Sequence, residues 1–179
     1  MIYLFLADGF EEMEAIVPLD VLRRAGLQVT TVGVTGKTVR GSHDITVTAD
    51  TTDVKLTTEL DMIVLPGGTR GVENLRRSGL VQHAIEFAAH RKIKIAAICA
   101  APTLLAERGL LEGVEATCFP DLSDRMHGAV YTGADVCVSG NFITAKSAGH
   151  SKAFGLKLVE VLQDAQSAEE TARSLDQNG

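Results

Sequence analysis

Cysteine is scarce in this chain: the three residues Cys99, Cys118 and Cys137 cannot all pair, and none falls in the C-x-x-C spacing of a zinc or dithiol site. A disulfide-stapled secreted scaffold is therefore excluded, and a reduced, cytoplasmic location is the expectation. Positive charge is also short. Seventeen Lys and Arg face 23 Asp and Glu, and the net charge of -6 repels phosphate backbones and anionic headgroups, so neither nucleic acid nor a membrane is an expected partner. No apolar run is long enough to cross a bilayer. The opening stretch Ile2–Ala7 is short, lacks a basic flank and runs straight into the acidic segment Asp8–Glu14, so it reads as a buried strand. Internal repeats, low-complexity tracts before the polar tail from Gln163 to Gly179, and Pro/Gly/Ser linkers are all missing. Metal signatures are missing too: there is no H-x-x-x-H, HExxH or Cys/His cluster, and no metal or cofactor is expected.

What is present suffices for one folded unit. With 179 residues, 45% of them hydrophobic, the chain can bury a core without staples. Short apolar runs alternate with longer helix-patterned stretches, the pattern of parallel strands joined by crossover helices. Strands are predicted at Ile2–Ala7, Val29–Val34, Met62–Leu65, Lys94–Ile98, Ala116–Cys118 and Phe142–Thr144, and helices at Met13–Ala25, Ser78–Arg91 and Ser151–Leu162. Pro18 should kink the first helix or mark a late start, Pro102 should open a helix that stops near Gly109, and Ser167-x-x-Glu170 should cap a short final one. The alternation in Gly36–Ala49 predicts a hairpin at the sheet edge. The fold class expected is a single-domain α/β sandwich, doubly wound and mostly parallel, over residues 1–165, followed by a short helix and polar tail over 166–179.

Open parallel sheets bind ligands beyond the carboxyl ends of their strands, so the residues just after each strand carry the information. Cys99 follows Ile95–Ile98 directly and is followed by Ala100-Ala101-Pro102, the strand, sharp turn, helix layout of a nucleophile elbow. Helix N–H groups should favour its thiolate. The alternative is a buried structural cysteine, the reading that suits Cys118 and Cys137. Gly67-Gly68 forms either a tight turn or a backbone donor toward a ligand oxygen; with Thr69-Arg70-Gly71 it does not match the dinucleotide fingerprint. Glu11, Glu12 and Glu14 suit a helix start, and one of them gains another role only if that turn adjoins Cys99. His43, His83 and His90 read as surface residues, whereas His127 and His150 lie in irregular stretches.

These residues carry a resemblance. Gly9-Phe10-Glu11-Glu12-Met13-Glu14 with Pro18 and Arg23-Arg24-Ala25-Gly26, then Asp61 to Gly68, then Ala96-Ala97-Ile98-Cys99-Ala100-Ala101-Pro102, are together similar to the DJ-1/ThiJ/PfpI superfamily and its DJ-1 and YajL-like branch, over the chain to about residue 165. The resemblance implies a flavodoxin-like fold, usually homodimeric. It also implies that Cys99 is the reactive cysteine, Glu14 its carboxylic acid partner, and Gly68 and Ala100 the backbone donors of an oxyanion pocket. Two carboxylate-like charges side by side repel, so an ionised Cys99 requires a protonated Glu14.

Departures matter as well. Where the branch carries a histidine before a tyrosine, this chain reads Gly128-Ala129-Val130-Tyr131, and its Arg-Gly-Pro-Gly-Thr loop is here Lys146-Ser147-Ala148-Gly149-His150. His150 is thus the candidate auxiliary base. Ala100 stands where the protease branch has histidine, and the His-x-Glu of the amidotransferases is absent. The implied function is a cofactor-free, cysteine-dependent glyoxalase or deglycase acting on a small reactive carbonyl, methylglyoxal or its adducts. A redox-sensing cysteine protein or stress chaperone is the alternative.

Overall fold

Ile2–Leu6 (β1) is buried along its whole length and is followed by Glu12–Arg24 (α1), whose N-cap is Glu11. Val29–Gly33 (β2) pairs parallel with β1. Thr38–Arg40 (β3) and Thr46–Thr48 (β4) form the hairpin, and Met62–Leu65 (β5) returns to the other side of β1. Thr69–Arg77 (α2) and Gly79–His90 (α3) lead to Lys94–Ile98 (β6), then Pro102–Ala106 (α4). Glu115–Ala116 (β7), Val130–Tyr131 (β8), Val136–Ser139 (β9) and Phe142–Ala145 (β10) precede Ser151–Leu162 (α5) and Ala165–Leu175 (α6). This computed structural model describes residues 1–176; the end of the polar tail, 177–179, lies outside the described residues.

The main sheet has six strands in the order β2-β1-β5-β6-β10-β9, parallel except for β9 against β10. This is the single-domain, flavodoxin-like α/β sandwich the sequence predicts. Strand residues alternate between its faces. Phe5, Ile63, Leu65 and Ile95 point to the layer of α2, α3 and α4. Leu4, Leu6, Val64 and Ile98 point to α1 and α5. The order in which strands are added reverses between β1 and β5, so the crevice beyond their carboxyl ends is the switch point where such sheets hold ligands.

Several expectations need correction. Pro18 does not mark a late start of α1; it sits buried inside the helix, where Gly155 of α5 lets the two helices close to within contact. Ala116–Cys118 is not a strand of the main sheet. Only Glu115–Ala116 is extended, and it pairs with β8, because Phe119 N–H then turns to the Cys99 carbonyl at 2.8 Å. The hairpin forms its own two-stranded sheet, and the residues just after it join β2 through the Val32–Thr51 bridge and the hydrogen bonds between Asp50 and Thr31. The final helix starts at Ala165, since Asp164 rather than Ser167 caps it and accepts the Ser167 N–H at 2.7 Å. Helix α2 and strand β9 were not anticipated. The apolar face of α2 is only Val72 and Leu75 wide, and β9 is an edge strand with Val138 exposed. Among the described residues no helix is long and apolar enough to cross a membrane.

Candidate active site

Cys99 ends β6 with φ 64°, a left-handed conformation that costs a side-chain-bearing residue about 1–3 kcal/mol and persists only where its surroundings hold it. Three hydrogen bonds do so. Cys99 N–H donates to Ala145 O at 2.9 Å, its carbonyl accepts from Phe119 N, and Ala101 N–H closes the turn onto Ile98 O at 3.1 Å. Pro102 then opens α4 at its first position, as read from the sequence. The thiol is partly exposed, whereas Cys118 and Cys137 are buried.

Glu14 is 1% exposed, in the first turn of α1. Its Oε2 accepts the Gly67 N–H at 3.0 Å, and the Cys99 thiol and the Ala148 N–H lie close to its carboxyl. Gly67 is more than a turn residue. A Cβ there would overlap Glu14 Oε2 and lie 2.8 Å from Cys99 Cβ. Gly68, with φ 92°, and Ala100 both bring a backbone N–H close to the thiol, where each lowers its pKa. The four positions inferred for the site are therefore neighbours in space, although they come from three separate elements.

Burial pushes the Glu14 carboxyl up to about 7; the Cys99 bond and the Gly67 and Ala148 N–H groups pull it down, and the Glu11 charge pushes it further up. Burial also pushes the Cys99 thiol up, as do the charge and hydrogen bond of Glu14, against the pull of the Ala100 and Gly68 N–H groups. This corrects the expectation of a thiolate favoured by a helix terminus. Helix α4 has only five residues, so its help is limited to single N–H groups, and the thiolate exists at neutral pH only when the shared proton rests on Glu14. Burial alone pushes Cys118 up to about 11, and its S–H donates to Phe119 O at 3.2 Å.

Within its own chain His150 makes other contacts. It precedes α5, with Nδ1 2.9 Å from Ser147 Oγ and Nε2 3.2 Å from Asp135 Oδ1. His127 is exposed, as is Val130 at 51%. Among the described residues no histidine bonds to Cys99 or Glu14.

Sequence reasoning did not foresee what Glu12 does. Buried at the start of α1, it accepts the His43 N–H at 2.6 Å and the Ser42 hydroxyl at 3.1 Å, and it lies 2.8 Å from His43 Nδ1. Burial pushes its carboxyl up, but the bonds from His43 and Ser42 outweigh this and hold it below the usual range. With Glu11 these donor atoms lie within 4.8 Å of one another, the one such group that could hold a metal ion among the described residues. The Glu12 oxygens are already occupied in clamping the β3–β4 turn.

A strained cysteine at a strand-to-helix turn, a buried acid at its side and two N–H groups on its sulfur define a nucleophile-elbow protein of the parallel α/β class. The comparisons narrow this. The DJ-1/PfpI family profile matches residues 1–161, and the chain belongs to that family. It is 39% identical over 169 residues to the Parkinson disease protein 7 homolog of Danio rerio, covering 91% of this chain and 89% of that one. It is 34% identical over 157 residues to the glutathione-independent glyoxalase DJR-1.2 of Caenorhabditis elegans, covering 86% and 83%. The structure of oxidized Toxoplasma gondii DJ-1 superposes with a TM-score of 0.91 at 32% identity, covering 97% of this chain and 96% of that chain.

Proposed function

We propose that the chain is a cofactor-free, cysteine-dependent glyoxalase or deglycase acting on methylglyoxal or its adducts. The observation that carries this reading is the buried Glu14 carboxyl, held by the Gly67 N–H at 3.0 Å beside the Cys99 thiol, with the Gly68 and Ala100 N–H groups close to the same sulfur. The name of the Caenorhabditis elegans relative supports it.

In this reading the Cys99 thiolate attacks the aldehyde carbon of methylglyoxal. The C–S bond forms, the carbonyl pair moves to oxygen, and protonated Glu14 supplies the proton that makes a hemithioacetal. Gly68 and Ala100 N–H groups hold the oxyanion meanwhile. Glu14, now a carboxylate, takes the proton from the same carbon and returns it to the adjacent one, which leaves a lactoyl thioester. Water then cleaves the thioester, lactate departs, and the thiol and acid are restored. The balance is methylglyoxal plus water to lactate, with no external oxidant. On a glycated amine the same attack would expel the amine.

The second reading, a redox sensor, draws on the absence of a histidine beside Cys99 and on a homologous structure whose name records oxidation. Peroxide would supply the oxygen, and protonated Glu14 with the two N–H groups would hold the resulting sulfinate. Lactate production from methylglyoxal by wild type and Cys99→Ser decides between them. Cys99-dependent turnover supports the enzyme; its absence, with ready oxidation of Cys99, supports the sensor. A homodimer and a cytoplasmic location belong to this proposal, the first tested by light scattering after gel filtration.

A further inference from the structure

Arg70 stands in the first turn of α2, two residues past Gly68, and its side chain lines two cavities. One, of about 480 Å³, is walled by Asp8 and by Arg40, Ser42 and Asp44 of the β3–β4 turn. The other, of about 410 Å³, reaches Ala100, the residue next to the thiol. The arginine stem is fixed by Gly9, whose φ is 84°: a Cβ there would lie 2.5 Å from Arg70 Cβ and 2.9 Å from its Cγ. Stem and bare backbone are in direct contact, which limits where the guanidinium can go.

Charges balance in the first cavity, while arginines are in excess around the second. In the first cavity Asp44 pairs with Arg40 at 2.9 Å, and Asp8 accepts the Arg40 backbone N–H, also at 2.9 Å. Around the second, Glu73 pairs with Arg76 and Arg77, and Glu107 pairs with Arg76 and Arg125. Arg76, Arg77 and Arg125 thus share two carboxylates, and Arg70 has no carboxylate partner among the described residues. A chain of net charge -6 leaves an unpaired guanidinium beside its thiol turn.

We infer that Arg70 recognises an anionic group, a carboxylate or a phosphate ester, on the electrophile presented to Cys99. This deepens the proposed function and rests on Cys99 being the nucleophile. A guanidinium offers a planar fork of donors that matches such groups. An anion docked on it lies on the Ala100 side of the turn, leaving the electrophilic carbon to the sulfur and its oxygen to the N–H groups. The substrate class is then a reactive carbonyl carrying an acid group, preferred over uncharged methylglyoxal.

Iodoacetate and iodoacetamide both alkylate Cys99 with loss of iodide and differ by one charge. Their rate ratio, referred to that of N-acetylcysteine, measures what the site offers an anion. Arg70→Met keeps the stem on Gly9 and should lower the ratio about fivefold, as expected for one half-solvated charge several ångström away, with the iodoacetamide rate unchanged. Arg70→Lys should retain most of it. Acetate and inorganic phosphate, added as competitors at equal ionic strength, identify the anion class. An unchanged ratio in Arg70→Met, or an equal fall in both rates, overturns the assignment. Alkylation needs only the thiol, so this result stands apart from whether methylglyoxal is turned over.

Discussion

The Gly67 N–H donates to Glu14 Oε2 at 3.0 Å, and the missing side chain of Gly67 is what lets the carboxyl reach Cys99 at all. A glycine chosen for a turn thereby also sets the distance between acid and thiol. Most of what can be tested about this site follows from that three-way contact.

Gly67→Ala should force Glu14 and Cys99 apart, because its Cβ would lie 2.8 Å from Cys99 Cβ and overlap the acid. Overpacking of this kind costs about 1–3 kcal/mol, so a lower Tm together with loss of most Cys99-dependent turnover is expected. Wild-type stability and rate in this variant would show that the contact is not tight.

Glu14 gives the chain a pH-dependent cost. Its carboxyl is raised from 4.5 to about 7 by burial, so between those values the folded chain holds a proton that the unfolded chain has lost, and stability falls as pH rises through the window. Glu14→Gln removes the ionisation. It should raise stability at pH 8 by up to roughly 3 kcal/mol and change it far less at pH 4, while abolishing proton transfer. Urea titrations at both pH values check the first part, and lactate assays the second.

Cys99 should be modified first of the three thiols by limiting iodoacetamide or peroxide, read by mass spectrometry. Burial pushes all three thiols up, Cys99 included, but Cys118 and Cys137 are buried from reagent, whereas Cys99 is partly exposed and has the Glu14 carboxylate to take its proton. Earlier modification of Cys118 or Cys137 would remove Cys99 from the mechanism.

His150→Ala should leave the rate and its pH profile within about twofold of wild type, because its ring nitrogens face Ser147 and Asp135 and neither bonds to Cys99 or Glu14. A lost limb in the profile would restore His150 as an auxiliary base.

Glu12→Ala should release the β3–β4 turn. It removes the acceptor of the part-buried His43 N–H, at a cost of about 1 kcal/mol, and should raise amide exchange across residues 41–45. Unchanged exchange would mean that the clamp is redundant.

Much of the fold was legible because its signals are local. The apolar strands β1, β5 and β6, the Ser78 cap of α3 and the Pro102 start of α4 depend on runs, caps and prolines that act within a few residues. Cys99 was legible for the same reason, being a strand end followed by small residues and proline. Helix α2 and strand β9 carry too narrow an apolar face for periodicity to show, and the pairing of β7 with β8 follows from the Phe119–Cys99 bond, which no local pattern encodes.

By itself the sequence determined the layering, the turn that presents Cys99 and the acidic start of α1, since each follows from short-range sterics and burial. Only the tertiary structure decided that Glu14 and not Glu11 or Glu12 meets the thiol, that His150 is held by Asp135, and that Arg70 is left without a carboxylate. Those outcomes depend on strand order and helix rotation, which bring together side chains from distant parts of the chain. Charge balance and shared protons exist only once that packing is complete.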